Sequence, residues 1–131
     1  MSTTPNRVTA IGGIFFKSND PAATRDWYNT HLGLNATQYG ANFEWRHADA
    51  PERKGTTVWS PFGKDSKYFE PSTKDFMLNF RVENLEWLVG ELQKEGIALI
   101  GELQVEEYGK FAHIMDPDGN KIELWEAKDE E

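Results

Sequence analysis

Apolar and polar positions along the chain fall into two successive runs of the same kind. Val8–Phe16 (VTAIGGIFF) is apolar and rich in β-branched residues, which predicts a mostly buried strand. Asp20 followed by Pro21 sets a capping carboxylate before a residue whose fixed φ suits the first helical position, so a helix is expected over Pro21–Leu32. Trp27, Tyr28 and Leu32 lie on or near one apolar face of it, and Gly33 stops it. Leu34–Tyr39 reads as a weak strand. Ala41–His47 alternates, with Phe43 and Trp45 on one side and Glu44 and Arg46 on the other. Thr56–Pro61 is short and β-rich, and Phe62–Lys74, full of Pro, Gly, Ser and Lys, reads as a loop. Then the order begins again. Asp75–Val82 is a strand, and Glu83–Glu95 is a helix with Leu85, Leu88, Val89 and Leu92 at helical spacing, ended by Gly96. Ala98–Glu106 and Phe111–Met115 are strands, Asp116–Asn120 is a tight turn, and Lys121–Trp125 is the closing strand.

The order is βαβββ, twice. An offset of 64 residues relates Phe16 to Phe80, Lys17 to Arg81 and Val58 to Ile122, and the helix-stopping glycines Gly33 and Gly96 are 63 apart, which suggests an internal duplication. The fold class expected is α+β: two tandem βαβββ modules forming half-barrels around a central cleft where inward side chains converge. The whole chain, 1–131, reads as a single domain, with module one at about 8–62, a loop at 63–74, module two at about 75–126 and an acidic tail at 127–131.

Composition narrows the function. An aromatic content of 13% belongs to a folded chain rather than a disordered one. With no cysteine, disulfides, thiol nucleophiles and thiolate metal sites are excluded. A net charge of -8 repels phosphate backbones, so nucleic acid is not an expected partner. No apolar run approaches a membrane span and Met1–Arg7 lacks the apolar stretch of a signal peptide, so a cytoplasmic address without membrane contact is expected.

Three segments carry a resemblance: GGIFFKSNDPAATRDWYNTHLGL (12–34), FMLNFRVENLEWLVGELQKEGI (76–97) and YGKFAHIMDPDGNKIELWE (108–126). Together they resemble the vicinal-oxygen-chelate superfamily, the glyoxalase, bleomycin-resistance and extradiol-dioxygenase-like proteins, and the string DPDGNKIELWE looks like the superfamily's closing hairpin. In metal-dependent members, four inward side chains on the first and last strand of each module hold one divalent ion. Spacing and the 64-residue offset carry those positions to Gly13, Trp59, Met77 and Glu123. Glycine and tryptophan supply no ligand atom and a thioether suits soft ions, so only Glu123 fits. No cofactor is therefore expected, and a divalent metal is disfavoured. A His113–Glu123 pair across the closing hairpin would still supply only two ligands.

What survives is a cleft lined by Trp59, Met77 and Trp125, with Gly13 leaving room, suited to an aromatic or oxygen-rich small molecule. Asn79, two residues past Met77, should face the same way. Glu123 is either a buried carboxylate with raised pKa, acting as acid, base or anchor, or a remnant paired with Arg46 or Arg81. His113 is either a catalytic partner of Glu123 or a satisfied strand histidine. Trp59 and Trp125 are ring platforms or core, while Glu44 and Arg46 form a polar cleft wall or a solvent-facing ion pair. Tyr108-Gly109-Lys110 resembles a loop over the cleft mouth. Two functions stay open: a metal-free binding protein for a small molecule, or a lyase- or dioxygenase-like enzyme acting on a small carbonyl substrate with Glu123 as acid or base. Short relatives of this kind are dimers, so a homodimer is expected.

Overall fold

The computed structural model describes residues 7–128, so the start of the chain and the last residues of the acidic tail lie outside it. Its elements are β1 (Ala10–Ser18), α1 (Pro21–Leu32), β2 (Ala41–His47), β3 (Ala50–Gly63), β4 (Phe76–Arg81), α2 (Leu85–Lys94), β5 (Gln104–Glu106), β6 (Gly109–Met115) and β7 (Lys121–Ala127). The strands form one sheet in the order β2-β3-β1-β4-β7-β6-β5. The arrangement is α+β in two modules. In each, the first strand runs parallel to the last, and the modules meet along the antiparallel β1–β4 seam.

Both helices are set by their caps. Asp20 accepts a hydrogen bond from the Ala23 amide at 3.1 Å, Pro21 opens α1, and Gly33 closes it at φ 67. Asn84 does the same for α2, accepting from the Trp87 amide at 3.1 Å. Leu85, Leu88 and Leu92 of α2 pack on Val82, Ala112 and Leu124 to form the buried core. Phe80, Ile114 and Ile122 extend it on the same face of β4, β6 and β7. The opposite face of these strands is left for other contacts, since side chains alternate.

Three expected strands change extent. Leu34–Tyr39 forms no strand; only an isolated Thr37–Gly40 bridge is made, and Asn35 turns the chain with φ 59. Ala98–Glu106 contracts to Gln104–Glu106. The short run Thr56–Pro61 grows into the 14-residue β3, because antiparallel pairing with β2 carries the ladder back through Lys54 and Gly55 to Ala50. Among the described residues, no helix is long and apolar enough to cross a membrane.

Candidate functional site

The register places one row of residues across five neighbouring strands. Val58 of β3 pairs with Gly13 of β1, Gly13 with Asn79 of β4, Asn79 with Glu123 of β7, and Glu123 with His113 of β6. The next row carries Arg81, Trp125 and Phe111. These rows lie on the face away from α2, and Val58, Asn79, Glu123, Trp125 and Phe111 from them help to bound a cavity of about 470 Å³. Its lining includes Gly12 and Phe15 from β1, Val58 and Phe62 from β3, Asn79, Glu123 and Trp125, with Phe111, Gln104, Glu106 and Tyr108 from the second module.

Glu123 is the centre of a closed polar network. His113 Nε2 lies 2.8 Å from Oε2 and Asn79 Nδ2 donates to Oε1 at 2.7 Å. The Tyr68 hydroxyl donates to Oε2 and lies 3.4 Å from His113 Nε2. Glu123 is 3% exposed, Asn79 2% and His113 5%. Burial pushes the Glu123 carboxyl up, but the hydrogen bonds from His113, Tyr68 and Asn79 and the attraction of His113 outweigh it, so the group sits below the ordinary carboxylate range. Burial, together with the charge and hydrogen bonding of Glu123, pushes the Tyr68 phenol far above its ordinary value. The expectation of a raised Glu123 pKa is thus reversed, and the reason is that every donor around it favours the anion. Its partners are neither Arg46 nor Arg81.

Tyr68 comes from the segment read only as a loop. The linker is tied down by Phe69, which is fully buried, by Ser72 Oγ donating to the Gly119 carbonyl at 2.6 Å, and by Lys121 Nζ donating to the Tyr68 carbonyl at 2.6 Å. One sequence signal was available: Tyr68-Phe69 is an aromatic pair inside a polar stretch, and such residues seek burial.

The other expected site residues are distributed as follows. Trp59 does not line the cleft; it packs against Phe16 and Tyr28, with ring centroids at 5.4 and 4.5 Å, on the α1 side. Val58 takes the inward place. Partners in β1–β3 are 45 residues apart but those in β4–β7 are 44 apart, so one constant offset cannot map both modules. A one-residue slip turns a side chain to the other face. Met77 is fully buried on the same face as Asn79, but one row off, opposite Phe15; Asn79 stands opposite Gly13. Gly13 lies in the row, and a β-bulge beside it brings Gly12 to the cavity as well. Trp125 lines the cavity, stacked on Phe111 with centroids 5.9 Å apart and planes at 7°. Its other neighbour is Arg81, whose guanidinium lies 5.0 Å from the Trp125 ring and 4.9 Å from Trp45. Glu44 and Arg46 are exposed and off the cleft, and Arg46 donates to the Pro51 carbonyl at 3.2 Å. Tyr108 lines the cavity, whereas Lys110 turns away to Glu86 at 2.7 Å.

The donor set does not fit a divalent ion. Of the residues facing one another across β3, β1, β4 and β7, valine and glycine offer no side-chain donor, Asn79 one neutral oxygen, and only Glu123 an anion. Both oxygens of that anion are already engaged by protein donors. Among the described residues, no group of three or more His, Asp or Glu side chains converges.

The doubled module, the central seam and the cleft define a glyoxalase-type fold. The chain belongs to the Glyoxalase/Bleomycin resistance protein/Dioxygenase superfamily, whose family model matches residues 10–124. Among solved structures it is similar to methylmalonyl-CoA epimerase from Mycobacterium tuberculosis, at 19% identity and TM-score 0.64, covering 98% of this chain and 93% of that one. It is also similar to a Streptomyces coelicolor methylmalonyl-CoA epimerase variant in complex with 2-nitronate-propionyl-CoA, at 15% identity and TM-score 0.65, covering 92% and 98%. A hypothetical protein from Bacillus halodurans C-125 matches at 13% identity and TM-score 0.62, covering 92% and 96%. At such identities the likeness is one of fold. No curated protein matches the sequence.

Proposed function

We infer that this protein binds a small, flat, aromatic or oxygen-rich molecule in the cleft between its modules, without a metal ion. The observation that carries the reading is the state of Glu123: a buried anion with both oxygens engaged, beside a cavity whose remaining lining is largely aromatic. A base must have a lone pair free to reach a substrate proton, and a metal ligand must be free to turn to an ion. Three protein groups already crowd the Glu123 carboxylate, which favours a role in holding Tyr68, Asn79 and His113 in place over one in moving a proton. Phe15, Phe62, Phe111 and Trp125 supply ring surfaces, and about 470 Å³ accommodates a bicyclic ligand.

The His113–Glu123 pair favours a second reading, an acid–base enzyme acting on a small carbonyl compound, since the epimerases that share this fold are enzymes. A homodimer accompanies either reading. Trp27, Leu32, Ile14 and Phe76 leave large apolar side chains 39–59% exposed on the α1 side, as a face covered by a second copy would.

Melting temperatures across divalent ions and small aromatic compounds separate the readings. The binding account expects a rise of several degrees with at least one aromatic compound and none with any ion, since only a ligand of the native state stabilises it. A rise with one ion and none with aromatics overturns it.

A further inference from the structure

We propose that Trp45 and Arg81 are positioning residues for the cleft: they touch no ligand themselves, but hold the Trp125 ring in the place from which it meets one. This rests on the binding reading above and deepens it, since it says how module one controls a binding surface that module two carries.

The geometry is a column of four side chains laid across the sheet. The Arg81 guanidinium lies over the Trp45 ring at 4.9 Å and over the Trp125 ring at 5.0 Å. Trp125 is stacked in turn on Phe111, with planes 7° apart. Register fixes that order, because Trp125 of β7 pairs with Arg81 of β4 on one side and with Phe111 of β6 on the other. Trp125 and Phe111 line the cavity, whereas Trp45 and Arg81 are not among its described lining residues. A buried guanidinium between two indole rings is attracted to both, so the place of one ring depends on the other.

The outer end of the column is anchored independently of the cleft. Trp45 Nε1 donates to Thr57 Oγ1 at 2.8 Å, and that hydroxyl donates to the Ile11 carbonyl at 2.6 Å. Trp45 pairs with Gly55 across β2 and β3, and a Cβ at Gly55 would collide with its ring. Arg81 is 3% exposed, and its Nη1 donates to the Thr56 carbonyl at 3.0 Å. Gly12 leaves room at the inner end, where a Cβ would meet Arg81 Cγ at 2.9 Å and Trp125 Cε3 at 3.0 Å.

The inner end is held more weakly. The Trp125 indole N–H donates to the Tyr108 carbonyl at 3.3 Å, a long hydrogen bond to the turn before β6. Without the support that runs through Arg81 from Trp45, the Trp125 ring keeps Phe111 as a stacking neighbour but loses its hold on the cation at its other side. A binding ring that is not held in advance must be ordered by the ligand, at a cost in affinity.

The test uses Trp45→Leu and Trp45→Phe in the full chain, with quinoline as a flat bicyclic probe. Two quantities are read: the Trp125 indole signal in a nitrogen–proton correlation spectrum, and quinoline affinity by calorimetry. Trp45→Leu should move the Trp125 signal and weaken quinoline about fivefold or more, while Trp45→Phe, which keeps a ring under Arg81, should stay within about twofold of the unaltered chain. Gly55→Ala displaces the Trp45 ring without removing it and should move the Trp125 signal as well, so the claim stays testable if Trp45→Leu does not fold. A merely structural Trp45 would lower the melting temperature and leave both readouts of the folded protein unchanged, and that result overturns the proposal, as does equal damage by Leu and Phe. Failure of quinoline to bind the unaltered chain counts against the binding reading, and the Trp125 signal then decides the column by itself.

Discussion

The two modules share a plan and differ in what fills it. In module two, α2 buries three leucines against the sheet, and the cleft-facing row carries Asn79, Glu123 and His113. In module one, α1 buries no residue completely, and the matching places hold Gly13 and Val58. Both modules give the cleft aromatic surface, Phe15 and Phe62 from module one and Phe111 and Trp125 from module two, but the core and the polar network come from module two and its linker. A duplicated fold need not keep duplicated chemistry: the symmetry persists in the backbone and is lost in the side chains of the cleft.

The comparison can be broken first by stability. Leu85 is fully buried, so Leu85→Ala should cost about 2–5 kcal/mol of unfolding free energy. Trp27 is 54% exposed, so Trp27→Ala should cost about 0.5 kcal/mol or less in the monomer. Urea unfolding of the two variants measures both. Equal losses would show that the modules are equally packed. A Trp27→Ala effect that grows with protein concentration would instead place a second copy on α1.

A smaller effect sharpens the contrast at the network. Tyr68→Phe keeps the ring and removes one charge-assisted hydrogen bond to Glu123, at a cost of about 1–3 kcal/mol. The pH dependence has a fixed sign. The Glu123 carboxyl is lowered in the folded protein, so its contribution is full above the ordinary carboxylate pKa of 4.5 and is lost as acid protonates it. The Tyr68 phenol is raised, so its contribution is full below the ordinary pKa of 10.0 and declines above it. Tyr68→Phe should flatten the alkaline limb of a stability-against-pH curve, and an unchanged limb would remove Tyr68 from the network.

Much of this architecture is legible in the sequence, because caps and periodicity are local. Asp20-Pro21, Gly33 and the leucines of α2 set both helices, and DPDGNKIELWE sets the last hairpin. The inward position of Trp59 was misread because facing is a matter of register, and the modules differ by one residue in the spacing of their paired strands. Tyr68 differs: its pairing with Phe69 points to burial, but its place beside Glu123 depends on a linker folding back onto Gly119 and Lys121, contacts separated by roughly fifty residues that no local pattern encodes.

The most direct test of the central claim is a nitrogen–proton correlation spectrum of the labelled protein titrated with a small aromatic compound that raises its melting temperature. The account predicts that the Trp125 indole and Asn79 side-chain amide signals move together and saturably, while the Trp59 indole stays still. Movement of Trp59 without Trp125 and Asn79 would place the ligand on the α1 side of the sheet and contradict the cleft described above.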